Sequence, residues 1–416
     1  MTQHQALKIL KSGVNVFLTG SAGTGKTFLL NQFVSYLKKA KIKVAVTAST
    51  GIAATHLEGR TIHSWSGIGI RKDMDKKAIK RLVKNKNLYK KIRKTKVLII
   101  DEISMFDADR LDLVDRICKK IREPFLPFGG IQTIVCGDFF QLPPINRGQK
   151  PRFAYESSVW RNSDIKVCYL NKQFRQNDLE FTNILNKIRL NKAGQKELNS
   201  LKTRLYKSIN SSIKPTQLYT HNINVDEIND YELSKIRRKE MIHYMTSSGN
   251  KDLVDFLKKS CLSPEELKLR VGAIVMFVKN NFDAGYVNGT LGEVIDYDDN
   301  EYPVIKIKSG RKIIALPSSW TIEEDDKVIA SIKQIPLRLA WAITVHKSQG
   351  MSLDTAEIDL SKSFECGMGY VALSRVRTLD NIKLMGINQL ALKVNSEIVE
   401  KDKEFKELSK QLEESL

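Results

Sequence analysis

Gly20-Ser21-Ala22-Gly23-Thr24-Gly25-Lys26-Thr27 follows an apolar run at residues 14–18 and opens a helix-prone stretch at 27–39. Strand, glycine-rich loop and helix in that order is the setting that a phosphate-binding loop requires. The glycines let backbone N–H groups close around a β-phosphate. Lys26 reaches the β and γ oxygens, and Thr27 can ligate Mg²⁺ at the helix amino terminus. Gly20, Ser21, Ala22, Gly23, Thr24, Gly25, Lys26 and Thr27 are therefore the candidate nucleotide contacts. A chance glycine-rich turn is the alternative, and the flanking strand and helix weigh against it.

Further short β-branched runs at 44–46, 97–100 and 134–136 each lead into a polar or glycine-bearing motif, with helical stretches such as 109–122 between them. Buried parallel strands look like this, with chemistry at their carboxyl ends. The fold class is α/β, and residues 1–64 and 97–160 read as one doubly wound lobe. Val97-Leu98-Ile99-Ile100-Asp101-Glu102 sets two carboxylates at the end of an apolar strand. Asp101 would hold the magnesium through water, and Glu102 would polarise the attacking water as general base. A helix-capping pair, with Ser104 and Asp107 nearby, is the alternative for the two carboxylates alone. Gly137-Asp138-Phe139-Phe140-Gln141-Leu142-Pro143-Pro144 ends another strand. Gln141 is suited to sense a γ-phosphate with its amide, and rigid Pro143 and Pro144 could press against a bound strand.

Composition names the class of partner. Lysine and arginine number 68 against 47 aspartate and glutamate, a formal charge of +21, which points to a polyanion. Nucleic acid is favoured over a membrane surface, because the chain has no apolar run long enough to span a bilayer, no signal-like amino terminus and no lipidation motif. A soluble, cytoplasmic protein with no membrane partner is expected. Residues 71–96 hold thirteen lysines and arginines and two aspartates, over half of the net excess. A solvated helix face and a phosphate-contacting surface explain this run equally well. Five cysteines without paired spacing read as reduced thiols rather than a zinc site or disulfide framework.

The stretch from Asp109-Arg110-Leu111 through Pro127-Phe128-Gly129-Gly130-Ile131-Gln132, running straight into the Gly-Asp-Phe-x-Gln-Leu-Pro-Pro motif, resembles the signature of the Pif-one helicases, in the RecD-like branch of helicase superfamily one. The resemblance spans nearly the whole chain and implies two RecA-like P-loop lobes. Thr47-Ala48-Ser49-Thr50-Gly51-Ile52-Ala53-Ala54 with Thr61-Ile62-His63-Ser64 is similar to the family's strand-gripping motif, which implies DNA contact by Thr50, Gly51, Ala53 and His63. Small hydroxyl-bearing residues let a sugar-phosphate backbone approach and be hydrogen-bonded. An adenine-contacting glutamine precedes the loop in such enzymes, and Gln3 and Gln5 are both candidates, Gln3 the better by spacing. Residues 65–96 occupy the place of the family's first-lobe insertion near the duplex junction.

The second lobe is expected at 161–270 and 321–395, opened by strands at 167–170 and 217–220. Glycine and asparagine turns at 271–320 predict short antiparallel strands, and their place resembles the family's Src-homology-three-like (SH3-like) barrel insertion. Residues 396–416 read as a charged, solvated terminal helix without chemistry. A motor of this kind needs a cation that reads the γ-phosphate from the other lobe. Arg175 in Gln173-Phe174-Arg175-Gln176 and Arg375 in Gly369-Tyr370-Val371-Ala372-Leu373-Ser374-Arg375 match family motifs whose arginines contact phosphate, Arg377 being a weaker substitute. Ala342-Ile343-Thr344-Val345-His346-Lys347-Ser348-Gln349-Gly350 resembles the motif that grips the strand and faces the nucleotide. Thr344, His346, Lys347 and Ser348 are its DNA candidates and Gly350 its nucleotide candidate; Thr220, His221 and Asn222 are candidates for the same strand path.

The resemblance implies an ATP- and Mg²⁺-dependent helicase, monomeric, moving 5′-to-3′ on single-stranded DNA and acting at single/double-strand junctions. G-quadruplexes and RNA–DNA hybrids are further substrates it leaves open. The rival readings are a phosphotransferase and a DNA-stimulated ATPase that remodels or clamps DNA without processive unwinding.

Overall fold

The computed structural model describes residues 1–416 apart from 58, 70, 145–150, 177, 211–212, 221–224, 282, 325–326 and 416. The chain divides into two compact units, Met1–Phe174 with Glu400–Leu416, and Arg175–Val399.

In the first unit β1 (Val16–Gly20), β2 (Val44–Ala48), β3 (Arg60–Thr61), β4 (Val97–Asp101), β5 (Gln132–Cys136) and β6 (Lys166–Leu170) form a sheet in the order β3-β2-β4-β5-β1-β6. Every pairing is parallel. β1 and β4 are buried along their whole length, which explains their unbroken apolar sequences. The helix Lys26–Lys39 presents Leu29, Leu30, Phe33 and Leu37 to the core, the spacing of one helical face. The strand expected to open the second lobe is a correction: β6 pairs with β1 in register from Val16↔Lys166 to Gly20↔Leu170. Its apolar run looks the same whichever sheet it joins, so sequence alone misassigned it.

Within the basic segment lie the helices Lys76–Leu82 and Lys86–Lys94, capped by Asp75 and Asn85. Ile79, Leu88 and Ile92 are buried beneath the charges. Arg122 fixes the end of the second of these helices. Its Nη1 donates to the carbonyls of Arg93 at 2.7 Å and Thr95 at 2.9 Å, and its Nε to Gly129 O at 3.0 Å.

The terminal helix, Ser396–Glu414, is also a correction. From Glu400 onward it belongs to the first unit. Phe405 is buried against Phe17, Phe139, Tyr155 and Trp160, with ring centroids 5.0–6.5 Å apart. The Tyr169 hydroxyl donates to Asp402 Oδ1 at 3.0 Å, and its N–H donates to Ser409 Oγ at 3.0 Å. A dense run of lysine and glutamate masked this apolar face.

The second unit has its own parallel sheet. β7 (Thr216–Tyr219) is followed by β8 (Glu240–Tyr244), β9 (Thr246–Gly249), β10 (Glu266–Arg270), β11 (Ile274–Phe277), β12 (Leu291–Tyr297), β13 (Pro303–Ile307), β14 (Lys312–Ile314), β15 (Ser318–Glu324), β16 (Lys327–Gln334), β17 (Leu337–Leu339), β18 (Ala342–Thr344), β19 (Ala356–Leu360) and β20 (Ile382–Ile387). The parallel sheet runs β18-β7-β19-β20. The strands between β7 and β18 pair antiparallel, in the orders β14-β13-β12-β11-β17, β15-β16-β9 and β10-β8. They extend beyond the expected 271–320. β9, Thr-Ser-Ser-Gly, has no apolar residue to betray it.

Candidate nucleotide site and nucleic-acid interface

β4, β5 and β1 are adjacent and parallel, so the residues following them gather at one edge of the sheet. The loop after β1 folds onto itself. Lys26 Nζ donates to Gly20 O at 2.8 Å and Ser21 O at 3.1 Å, and Thr24 Oγ1 donates to Ser21 O at 3.0 Å. Gly25, at φ +79°, caps the helix that begins at Lys26. That left-handed backbone favours glycine, and a Cβ there would lie 2.3 Å from Gln3 Nε2, displacing the glutamine from the loop.

Gln3 lies on the loop. Its Nε2 donates to Thr24 O at 3.2 Å and Gly25 O at 3.4 Å. Gln5 is engaged elsewhere: its Oε1 accepts from Thr2 N at 2.8 Å, and its N–H donates to Thr2 Oγ1 at 3.3 Å, closing a capping box. Sequence reasoning missed two neighbours of the loop. Gln173 Nε2 donates to Ala22 O at 2.6 Å, and Phe174 N donates to Gly23 O at 3.0 Å. Both stand in the Gln-Phe-Arg-Gln motif, which was read only for its arginine.

At the end of β4, Asp101 is buried, and burial raises its carboxyl pKa, opposed by the Glu102 N–H, the Cys136 thiol and the Lys26 ammonium. Cys136 ends β5 and is another missed partner; burial holds its thiol well above the usual range. Glu102 adopts φ 52° and ψ 45°. Its N–H donates to Asp101 Oδ1 at 2.9 Å, and Ser49 Oγ donates to its carbonyl at 2.7 Å. Beyond β5, Asp138 is fully buried, and its carbonyl accepts from Gln141 N at 3.0 Å while its Oδ1 accepts from Phe140 N at 3.2 Å. This turn carries the nearly buried Gln141. Pro143 is half-buried and Pro144 buried.

Thr50 caps the helix Gly51–His56, its Oγ1 accepting from Ala53 N at 3.3 Å. Thr50, Gly51, Ala53 and His63 are half-buried. The His63 ring lies edge-on to Phe106 at 5.2 Å, and its pKa is lowered to about 4 by burial first, then by the Arg110 charge.

The second unit holds both candidate arginines. Arg175 Nη1 donates to Ser374 O at 3.0 Å, and Gln176 Nε2 donates to the same carbonyl at 3.1 Å. Arg375 is buried, its Nε donating to Val371 O at 2.9 Å and its Nη2 to Ser374 Oγ at 2.9 Å. Both arginines therefore hydrogen-bond to Ser374, Arg175 to its carbonyl and Arg375 to its hydroxyl. Thr344, His346 and Lys347 are half-buried, and burial lowers the His346 pKa. Gly350 is exposed at φ 79°. Ser348 is buried, and its hydroxyl donates to Val345 O at 2.8 Å. Thr220 is buried as well, while His221 and Asn222 lie outside the described residues.

Residues 3–198 match the model of the PIF1-like helicase family, and residues 252–297 match that of the DNA helicase Pif1, 2B domain. The chain is 43% identical to the ATP-dependent DNA helicase Pif1 of Psychrobacter sp. (strain PRwf-1), over 98% of this chain and 71% of that protein. The Pif1 of Bacteroides sp in complex with ADP-AlF4 superposes with a TM-score of 0.80 at 31% identity, covering 97% of this chain and 96% of that one. The Bacteroides Pif1 in complex with ADP-AlF3 and ssDNA gives a TM-score of 0.65 at 32% identity, over 97% and 96%. With its glycine loop, its paired carboxylates and its glutamine turn gathered on adjacent strands, the chain belongs to the PIF1-like helicase family.

Proposed function

We propose that this chain is an ATP-dependent DNA helicase that translocates 5′-to-3′ on single-stranded DNA and parts the duplex ahead of it. ATP binding closes two RecA-like lobes and hydrolysis releases them. The observation that carries the reading is the clustering of the Gly20–Thr27 loop, Asp101-Glu102 and Gln141 at the ends of the adjacent strands β1, β4 and β5, in a chain of this family. Relatives solved with ADP-AlF4, and with ADP-AlF3 and ssDNA, support the ligand classes.

Gln3 contacts the adenine, and the loop amides and Lys26 hold the phosphates. Glu102 takes a proton from a water that attacks the γ-phosphorus as the bond to the β–γ bridging oxygen breaks. Gln141 orients that water and reads the γ-phosphate. The residues fit Mg²⁺: the Thr27 hydroxyl would be a hard oxygen ligand and the buried Asp101 carboxylate would hold the ion through water, and a cation offsets the burial that raises the Asp101 pKa. Bound there, Mg²⁺ would neutralise developing phosphate charge. Arg175 and Arg375 supply the cations from the second lobe, and Gly350 faces the nucleotide.

Thr50, Gly51, Ala53, His63, Pro143 and Pro144 in the first lobe grip the strand, with Thr344, His346 and Lys347 in the second. Residues 65–96 meet the junction, and the antiparallel insertion forms an SH3-like barrel that closes over the strand. The motor works as a monomer, with G-quadruplexes and RNA–DNA hybrids as further candidate substrates.

Strand displacement on tailed duplexes tests the reading. A 5′-tailed duplex should be unwound in the presence of ATP and Mg²⁺, and a 3′-tailed one left intact. An active ATPase that leaves both intact is instead a DNA remodeller or clamp, and hydrolysis unresponsive to DNA removes the motor altogether. Lys26→Ala should abolish hydrolysis and spare most of the DNA affinity.

A further inference from the structure

Phe405 sits far along the chain from the nucleotide loop, yet it packs behind the first unit's chemical edge. Its ring stacks on Phe139 at 6.1 Å and meets Phe17 edge-on at 5.0 Å. Phe17 lies in β1, whose last residue is Gly20, and Phe139 belongs to the turn that presents Gln141. The same helix clasps β6 through Asp402 and Ser409 at Tyr169, four residues ahead of Gln173, which touches the loop. Phe139 is itself enclosed by Phe153, Tyr155 and Trp160. In a packed interior a side chain moves only if its neighbours leave room, so the position of Phe139 depends on the ring that fills the space beside it.

We propose that the terminal helix is a positioning element for ATP hydrolysis, with Phe405 as the positioning residue that holds the Asp138–Gln141 turn from behind. Phe405 is buried within the aromatic cluster. It acts through Phe139 on Gln141, and a small misplacement of a group that orients the reacting water lowers turnover far more than binding. The proposal rests on the helicase reading for the role of Gln141, and it assigns to residues 400–416 a function that their charged composition conceals.

The test is DNA-stimulated hydrolysis by Phe405→Leu and Phe405→Ala, well below their melting temperatures, in the wild-type and Gln141→Ala backgrounds. Phe405→Ala should lower kcat by about tenfold or more and Phe405→Leu by a smaller factor, with KM for ATP unchanged within about twofold. In the Gln141→Ala background neither substitution should lower kcat further, because the two positions act as one unit. The leucine variant, which leaves the smaller gap, carries the test if the alanine variant does not fold. Wild-type kcat in a folded variant overturns the proposal, and so does an equal loss in both backgrounds, since a merely structural helix would act independently of Gln141. Absence of DNA-stimulated hydrolysis in the wild-type protein would instead refute the helicase reading on which the role of Gln141 rests.

Discussion

Glu102 holds a left-handed backbone conformation, which costs a side-chain-bearing residue about 1–2 kcal/mol. Hydrogen bonds from Ser49 and to Asp101 offset that cost, and strain of this kind is stored where a side chain must be aimed. Glu102→Gln keeps the shape and removes the base, so nucleotide affinity should persist while turnover falls by about 10²–10⁴; a fluorescent ATP analogue and a phosphate-release assay separate the two. His63 makes a pH prediction. Its folded pKa of about 4 lies below its ordinary 6.5, so the unfolded chain takes up the proton first. Its contribution to stability is intact above about pH 6.5 and is lost as the pH falls towards 4. Melting temperature measured across that window should drop less steeply in His63→Gln than in the wild type, and the His63 ring protons should titrate near pH 4 by NMR.

Elements are joined by single residues whose importance their type does not advertise. Arg122 bonds Arg93, Thr95 and Gly129 carbonyls, tying the basic helix to the turn that follows the Ala108–Ile121 helix. Arg122→Ala should cost about 2–3 kcal/mol in urea denaturation, the scale of hydrogen bonds to a charged group. Gly129 has φ +62°, and a Cβ there would meet Cys118 O at 2.7 Å. Gly129→Ala should therefore destabilise by at least as much, by strain and overlap together. The glycine loop, the buried strands and the two carboxylates were legible because each is a local pattern. β6 was not, since an apolar strand carries no mark of which sheet it joins. β9 and the apolar face of the terminal helix were hidden by their polar neighbours, and Gln173 became meaningful only once β6 ran beside β1.

At the scale of the whole molecule the +21 charge sets the salt response. Affinity for single-stranded DNA should fall linearly on a log–log plot against salt, and each lost phosphate contact should reduce the slope by about 0.7. Substituting Lys76, Lys77, Lys80 and Arg81, all on the helix Lys76–Leu82, by glutamine should flatten the slope for forked duplex; an unchanged slope would return that helix to the status of a solvated face. Glutamine and arginine motifs named the parts of the site, but not which unit each serves, because Phe174 and Arg175 are consecutive residues on opposite sides of the division. The docked terminal helix also imposes an order on synthesis. Ser409 lies 240 residues beyond the Tyr169 that it hydrogen-bonds, and closing so long a segment is slow. While the ribosome makes the second unit, the six-stranded sheet is complete but its aromatic flank around Phe17, Phe139 and Trp160 stands open to water. A chain lacking the residues from Glu400 onward should leave that flank uncovered, and such a fragment is expected to bind a hydrophobic dye and aggregate where the longer chain does not.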